Sequence, residues 1–150
     1  MWMDALWAYL HFTAIFLLFA FLTAEAMVLR GTLDAERVRL LARIDAWYAG
    51  SAVAALVTGL LRVTLGAKGA AFYLHAWPFH AKMALFVAVG LLSIGPTRAF
   101  LRWRRAVNAD AAFVVPASEI AAQRKRVMVE LHLAAFIPLA AVMMARGLGQ

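Results

Sequence analysis

The sequence predicts an all-α integral membrane protein: one four-helix bundle over residues 1–150, with both termini on the non-cytoplasmic side. Three observations carry that expectation. Hydrophobic residues make up 65% of the chain and charged residues only 15%, where a soluble domain has about a quarter charged. Four segments approach the roughly 20 apolar residues that cross a bilayer. The basic residues also sort to one side of those segments, as they do in oriented membrane proteins.

Taken in order, the first span is expected near Ala5–Leu29. The opening "MWMDALW" lacks the basic region and small-residue cleavage site of a secretory leader, so this span is expected to be permanent. A charged interfacial connector, "RGTLDAERVRLLARID", leads to the second span near Ile44–Leu65. The segment "GAKGAAFYLHAWP" then joins it, partly re-entrant, to the third span near Pro78–Ile94. The longest polar stretch follows, and its "SEIAAQRKRVMVE" opens the last helix, with Ser118 as N-cap and the span itself near Val127–Ala145.

Arg30, Arg37, Arg39, Arg43, Arg98, Arg102, Arg104, Arg105, Arg124, Lys125 and Arg126 belong to the first and third connectors; only Arg62, Lys68, Lys82 and Arg146 belong to the opposite side. The positive-inside bias places the connectors in the cytoplasm. The net charge of +7 is therefore an orientation signal, and no nucleic-acid partner is expected. Cysteine is absent, which excludes disulfides, thiolate metal sites and thiol catalysis.

An ionisable side chain in hydrocarbon costs about 2.5–3.5 kcal/mol on insertion scales, so each one needs a reason. Asp4, His11, Leu18 and Glu25 recur every seventh residue and share one helix face, which must look into the bundle. On the second span Tyr48, Ser51, Ala55, Thr58 and Arg62 form a small and polar packing stripe. Arg62 at its outer end is either an anion clamp or a snorkelling side chain. His80 and Lys82 lie about 200° apart on the third span, so one faces inward and the other reaches the interface. Arg126 and Glu130 form an i,i+4 pair, with His132 nearby on another face. Spans one and three run the same way, so His11 and His80 share the outer half and His132 belongs to the inner one.

Imidazoles in a bundle serve as haem ligands, as ligands of another metal, or simply as hydrogen-bonding groups between helices. The spacing here leaves all three open. A copper site would draw on His75 and the methionines, but Met1, Met3 and Met83 make no compact array.

The stretches "LHFTAIFLLFAFLTAEAMVLR", "PFHAKMALFVAVGLLSIGPT" and "ELHLAAFIPLAAVMMARGLG" resemble a family of small bacterial four-helix membrane proteins of unknown function. More distantly, the early histidine and "FHAKMALF" are similar to the HemJ-type membrane protoporphyrinogen oxidases, and the bundle to the copper-resistance D membrane domain. The resemblance implies haem b, with His11 matching the haem-ligand histidine and Lys82 the functional lysine. The fourth-helix ending and the charge pattern of the connectors depart from the HemJ type, so porphyrinogen oxidation does not carry over.

The expected function is thus a haem b-binding protein of the bacterial inner membrane, passing electrons to or from a quinone or acting on a porphyrinogen-like substrate. His11 and His80 would be axial ligands, with Lys82 the substitute, and Arg62 and Lys82 would neutralise propionates. The alternatives are a copper-handling module, or a cofactor-free transporter or proton-pathway subunit using Glu25, Asp45, Glu130 and His132 with Asp4 and His11. Small residues such as Ala134, Ala141 and Ala145 serve either intrachain packing or a homo-oligomer.

Overall fold

The computed structural model describes residues 2–66 and 69–147 and contains five helices and no strands among them. These are α1 (Trp2–Val28), α2 (Ala35–Leu65), the short α3 (Gly69–His75), α4 (Trp77–Ala109) and α5 (Ala117–Ala145). All except α3 are long and apolar enough to cross a membrane. At 1.5 Å per residue, the 31 residues of α2 and 33 of α4 reach about 46–50 Å, well beyond a roughly 30 Å hydrocarbon core. Both therefore project past the bilayer on the side of the α1–α2 and α4–α5 connections, here called the connector end.

The charged connectors are consequently continuations of the transmembrane rods rather than separate interfacial pieces. The third apolar segment was expected to stop at Ile94, yet α4 runs on to Ala109. The reason lies in Ala99, Phe100, Trp103 and Val107, which recur at helical spacing, are all buried, and leave the intervening arginines on the solvent face.

The α1–α2 turn is fastened from both sides. The Asp34 carboxylate accepts from the Arg37 backbone N–H at 2.8 Å, an N-cap of the kind that contributes about 1 kcal/mol. The Arg37 guanidinium reaches back to the Val28 carbonyl at 3.2 Å, covering an open end of α1. That guanidinium lies across Gly31, where a Cβ would meet it at 2.9 Å.

At the other connection, Asp110 ends α4 and its carboxylate accepts from the Ala112 N–H at 2.9 Å. Helix α5 begins after Pro116, not at Ser118 as its polarity suggested: Ser118 lies inside the first turn and makes no cap. The proline's fixed φ of −58° sets the entry into the helix instead.

Helix α1 packs along α2, and α4 along α5; α2 meets α4, and α5 closes the ring against α1. Helices α1 and α4 are diagonal: among the described residues their backbones do not approach each other, and only side chains such as Leu18 and Val89 meet across the core. The apolar core is concentrated toward the connector end, around Leu22, Leu29, Leu41, Phe100, Trp103 and Val127. Large apolar side chains such as Phe16 (72% exposed) and Leu91 (64%) point away from the bundle, as a lipid-facing surface requires. At the opposite, terminal end, α3 lies against α2 and α4 and buries Tyr73. Lys68, used above in the charge count, lies outside the described residues, so the path into the expected re-entrant segment is not described.

Candidate functional site

Two polar clusters occupy the interior, one in each half. In the connector half the seven-residue ladder of α1 delivers Glu25 inward, at 1% exposure. Helix α2 adds Asp45, one turn before Tyr48 on the small and polar stripe, and α5 adds Glu130, also 1% exposed. Asp45 and Glu130 are electrostatic neighbours of Glu25. Asp45 accepts a hydrogen bond from the Thr97 hydroxyl at 2.9 Å, and the Tyr48 hydroxyl lies beside Glu130. One carboxyl oxygen of Glu25 and one of Glu130 are fully buried with no hydrogen-bond partner. Among the described residues, none of the three carboxyls forms an ion pair.

The expected Arg126–Glu130 neutralisation is not formed. Arg126 lies on the outside of α5, bonded to Gln123 at 3.3 Å and resting against Gly95, while Glu130 turns inward to Tyr48. His132 points outward and donates to its own helix at the Met128 carbonyl, 2.6 Å away. It takes no part in the cluster.

Above the carboxyls, toward the bundle centre, lies a cavity of about 180 Å³ lined by Tyr48, Phe86, Gly90, Ser93, Thr97 and Ala134, among others. Tyr48 and Thr97 are shared: they line the cavity and also hold Glu130 and Asp45. The cavity sits where α4 and α5 carry internal prolines, Pro96 and Pro138, each of which removes one rung of its helical ladder.

The second cluster lies in the terminal half. His11 is half-buried on α1 with its ring seated on Gly59, where a Cβ would meet the ring at 2.9 Å. Its Nδ1 is 3.1 Å from the Thr58 hydroxyl oxygen. That hydroxyl gives its own proton to the Ala54 carbonyl at 2.6 Å, and the His11 ring also hydrogen-bonds the Ala55 carbonyl. Arg62, one turn beyond Thr58, lies with its guanidinium 5.5 Å from the centre of the Phe12 ring. Lys82 of α4 comes within electrostatic reach of both His11 and Arg62. The Asp4 carboxylate lies at the rim, beside Gly66.

Of the two third-span candidates, Lys82 is the half-buried one and lies within electrostatic reach of His11. Its face continues through Val89 to Ser93 and Thr97, the inward line of α4. His80 is exposed and donates from Nε2 to the Leu74 carbonyl at 2.9 Å, closing the α3–α4 corner. His75 is likewise exposed and bonded to the Ala71 carbonyl. A pair of histidines facing each other, His11 and His80, is therefore not present. Among the described residues no three His, Asp or Glu side chains come together to hold a metal ion.

A family model described as "Predicted membrane protein (DUF2214)" matches residues 3–149. The chain belongs to that family. No curated protein and no solved structure matches it, and a likeness to the HemJ-type oxidases or the copper-resistance D domain is not shown. The DUF2214 match covers both clusters and all four long helices, so both lie within the family's domain.

For this DUF2214 protein the sequence pointed to Glu25, Asp45 and Glu130 individually, but not to the contacts that bind them. The Thr97–Asp45 bond joins α4 to α2 across 52 positions of the chain and leaves no periodic signal. A second contact was also missed: Trp103 is buried and donates from Nε1 to Glu119 at 2.9 Å, beside an Arg102–Glu119 ion pair. The apolar spacing of Phe100, Trp103 and Val107 within the arginine-rich stretch was the available clue.

Proposed function

We propose that this protein handles protons inside a bacterial inner membrane, as a proton-coupled transporter or the proton-pathway subunit of one, with its connectors in the cytoplasm. One observation carries the reading: Glu25, Asp45 and Glu130, from three helices, are buried within electrostatic reach of one another, and among the described residues none of them pairs with a cation. Neighbouring carboxylates in a dry environment repel strongly, and intramembrane acids of this kind mark proton routes. A proton taken up from the connector end relieves that repulsion. The Tyr48 and Thr97 hydroxyls then offer a path from the carboxyls to the central cavity.

The test is flux. Protein reconstituted in liposomes containing a pH-sensitive dye, with a potassium diffusion potential imposed, should acidify or alkalinise the lumen faster than empty liposomes. Glu25→Gln and Glu130→Gln should each reduce that rate at least tenfold while eluting as folded protein. A wild-type rate equal to that of empty liposomes sinks the reading.

A haem-binding reading ranks second, and it is favoured by the way His11 is held. A metal-ligating histidine commonly donates its other ring N–H to a fixed partner, as His11 does to Thr58. In that reading His11 is the axial residue, Lys82 and Arg62 meet the propionates, and haem b would supply one-electron transfer with a quinone or a porphyrin as partner. Two features weigh against it: the inward-facing partner is Lys82, not His80, and the ring fills its seat on Gly59, away from the cavity. Absorption spectra of oxidised and dithionite-reduced protein discriminate the two. A Soret band lost in His11→Ala would install the haem reading, whereas the proton reading expects none.

A further inference from the structure

We propose that Arg62, Lys82 and His11 form a binding site for a phosphate that still bears an O–H, taken either as inorganic phosphate or as the monoester headgroup of a lipid. Three helices contribute one group each, α2, α4 and α1. Among the described residues neither Arg62 nor Lys82 forms an ion pair. Two cations drawn to one place in a membrane repel each other unless an anion joins them.

Simple snorkelling toward lipid headgroups does not describe the geometry. The Arg62 Nε is fully buried and has no hydrogen-bond partner. Its guanidinium is braced on Phe12, and the Lys82 ammonium stands 5.1 Å from the centre of the Phe79 ring. Both heads are thus held by aromatic faces, an arrangement that positions a cation without neutralising it. An unmet guanidinium donor is the group that phosphate oxygens pair with most effectively.

His11 supplies the selectivity. Thr58 gives its hydroxyl proton to Ala54, so a neutral His11 that donates to Thr58 from Nδ1 offers Nε2 as an acceptor. An acceptor beside two cations suits an anion that brings both negative oxygens and a hydrogen to donate. Every form of inorganic phosphate present at pH 7 has such a hydrogen, and sulfate has none.

The site is separate from the carboxyl cluster. Fourteen residues of α1 between His11 and Glu25 correspond to about 21 Å along the helix. The inference therefore goes beyond proton handling and fails or stands independently of it.

The experiment is a thermal-shift titration of the full chain in an uncharged detergent at pH 7, with sodium phosphate, sodium sulfate and sodium chloride at matched ionic strength. A saturable rise in Tm is expected with phosphate, at least threefold larger than with sulfate. It should vanish in Arg62→Gln and in Lys82→Gln, and persist in Glu25→Gln. His11→Phe should retain a shift but lose the preference over sulfate. If inorganic phosphate is inert, native mass spectrometry should show a co-purifying phosphomonoester lipid that Arg62→Gln loses, which identifies the headgroup as the source. Equal shifts with phosphate and sulfate in the wild type overturn the proposal. So does a phosphate shift that survives in both Gln variants, or inert phosphate with no such lipid. Circular dichroism checks that each variant is folded, and Arg62→Lys, which keeps the charge, should recover part of the shift if Arg62→Gln fails to fold.

Discussion

At the connector end, three acidic groups are sealed among Leu22, Phe100 and Trp103, and two of their oxygens have no partner at all. At the terminal end, the basic groups are only half-buried, and each head lies against a ring or a hydroxyl. The difference follows from side-chain length and from where the core sits. Arginine and lysine reach toward an interface on long apolar stems, so the bundle can place them where packing is thinner. Glutamate and aspartate are short and must stay where the backbone puts them. The acidic cluster is thus enforced by burial beside the central cavity, whereas the basic cluster is held by a few specific contacts. One consequence is that stability should depend on the first region's surroundings and selectivity on the second region's details.

The largest expected effect is a break in the seal. Trp103→Ala removes a buried indole and one of the two donors to Glu119, and should cost about 3–5 kcal/mol. Chemical unfolding in detergent measures the loss, and hydrogen exchange should rise first in the connector half. Equal protection loss at both ends would erase the contrast drawn here.

Next come two changes of similar size and opposite sign. Gly59→Ala drives a methyl group into the His11 ring, and overpacking of this kind costs roughly 1–3 kcal/mol. It should also displace His11 from Thr58, visible as a changed imidazole chemical shift. Glu25→Met replaces an unpartnered buried carboxyl by an apolar group of similar length. It should raise stability by about 1–3 kcal/mol while abolishing proton movement, the pattern expected of a residue retained for function. A destabilised Glu25→Met protein would mean that the carboxyl is satisfied in a way the contacts do not reveal.

The smallest effect is a pH dependence on the polar extension of α5, which precedes its apolar stretch. Hydrogen bonds from Trp103 and then Arg102 hold the exposed Glu119 carboxyl below the ordinary carboxylate range. A lowered folded value means that the stabilisation is present above the unfolded value and lost as pH falls through the folded one. The Tm difference between wild type and Glu119→Gln should therefore be greatest near neutrality and close as pH falls through the lowered value.

Much of this architecture was legible from the residues. Hydropathy alone located four spans, because a backbone in lipid must satisfy its own hydrogen bonds and only long apolar helices do so simply. The seven-residue ladder of Asp4, His11, Leu18 and Glu25 identified the inward face of α1, and the Tyr48-to-Arg62 stripe identified that of α2. Helical phase also separated His80 from Lys82. It could not say which one turned inward, since both faces of α4 carry apolar residues. The reach of α4 to Ala109 was missed because its arginines masked the apolar spacing of Phe100, Trp103 and Val107.

What the sequence determined by itself, then, is the kind of molecule and the faces of its helices, because both follow from periodicity along a single chain. The tertiary structure decided which faces meet. It set α1 diagonal to α4, turned Lys82 toward His11 while His80 closed a corner, and gathered Glu25, Asp45 and Glu130 beneath Tyr48 and Thr97. Those outcomes depend on how four rods rotate and pack against one another, a matter of contacts between residues dozens of positions apart, and no local pattern encodes them.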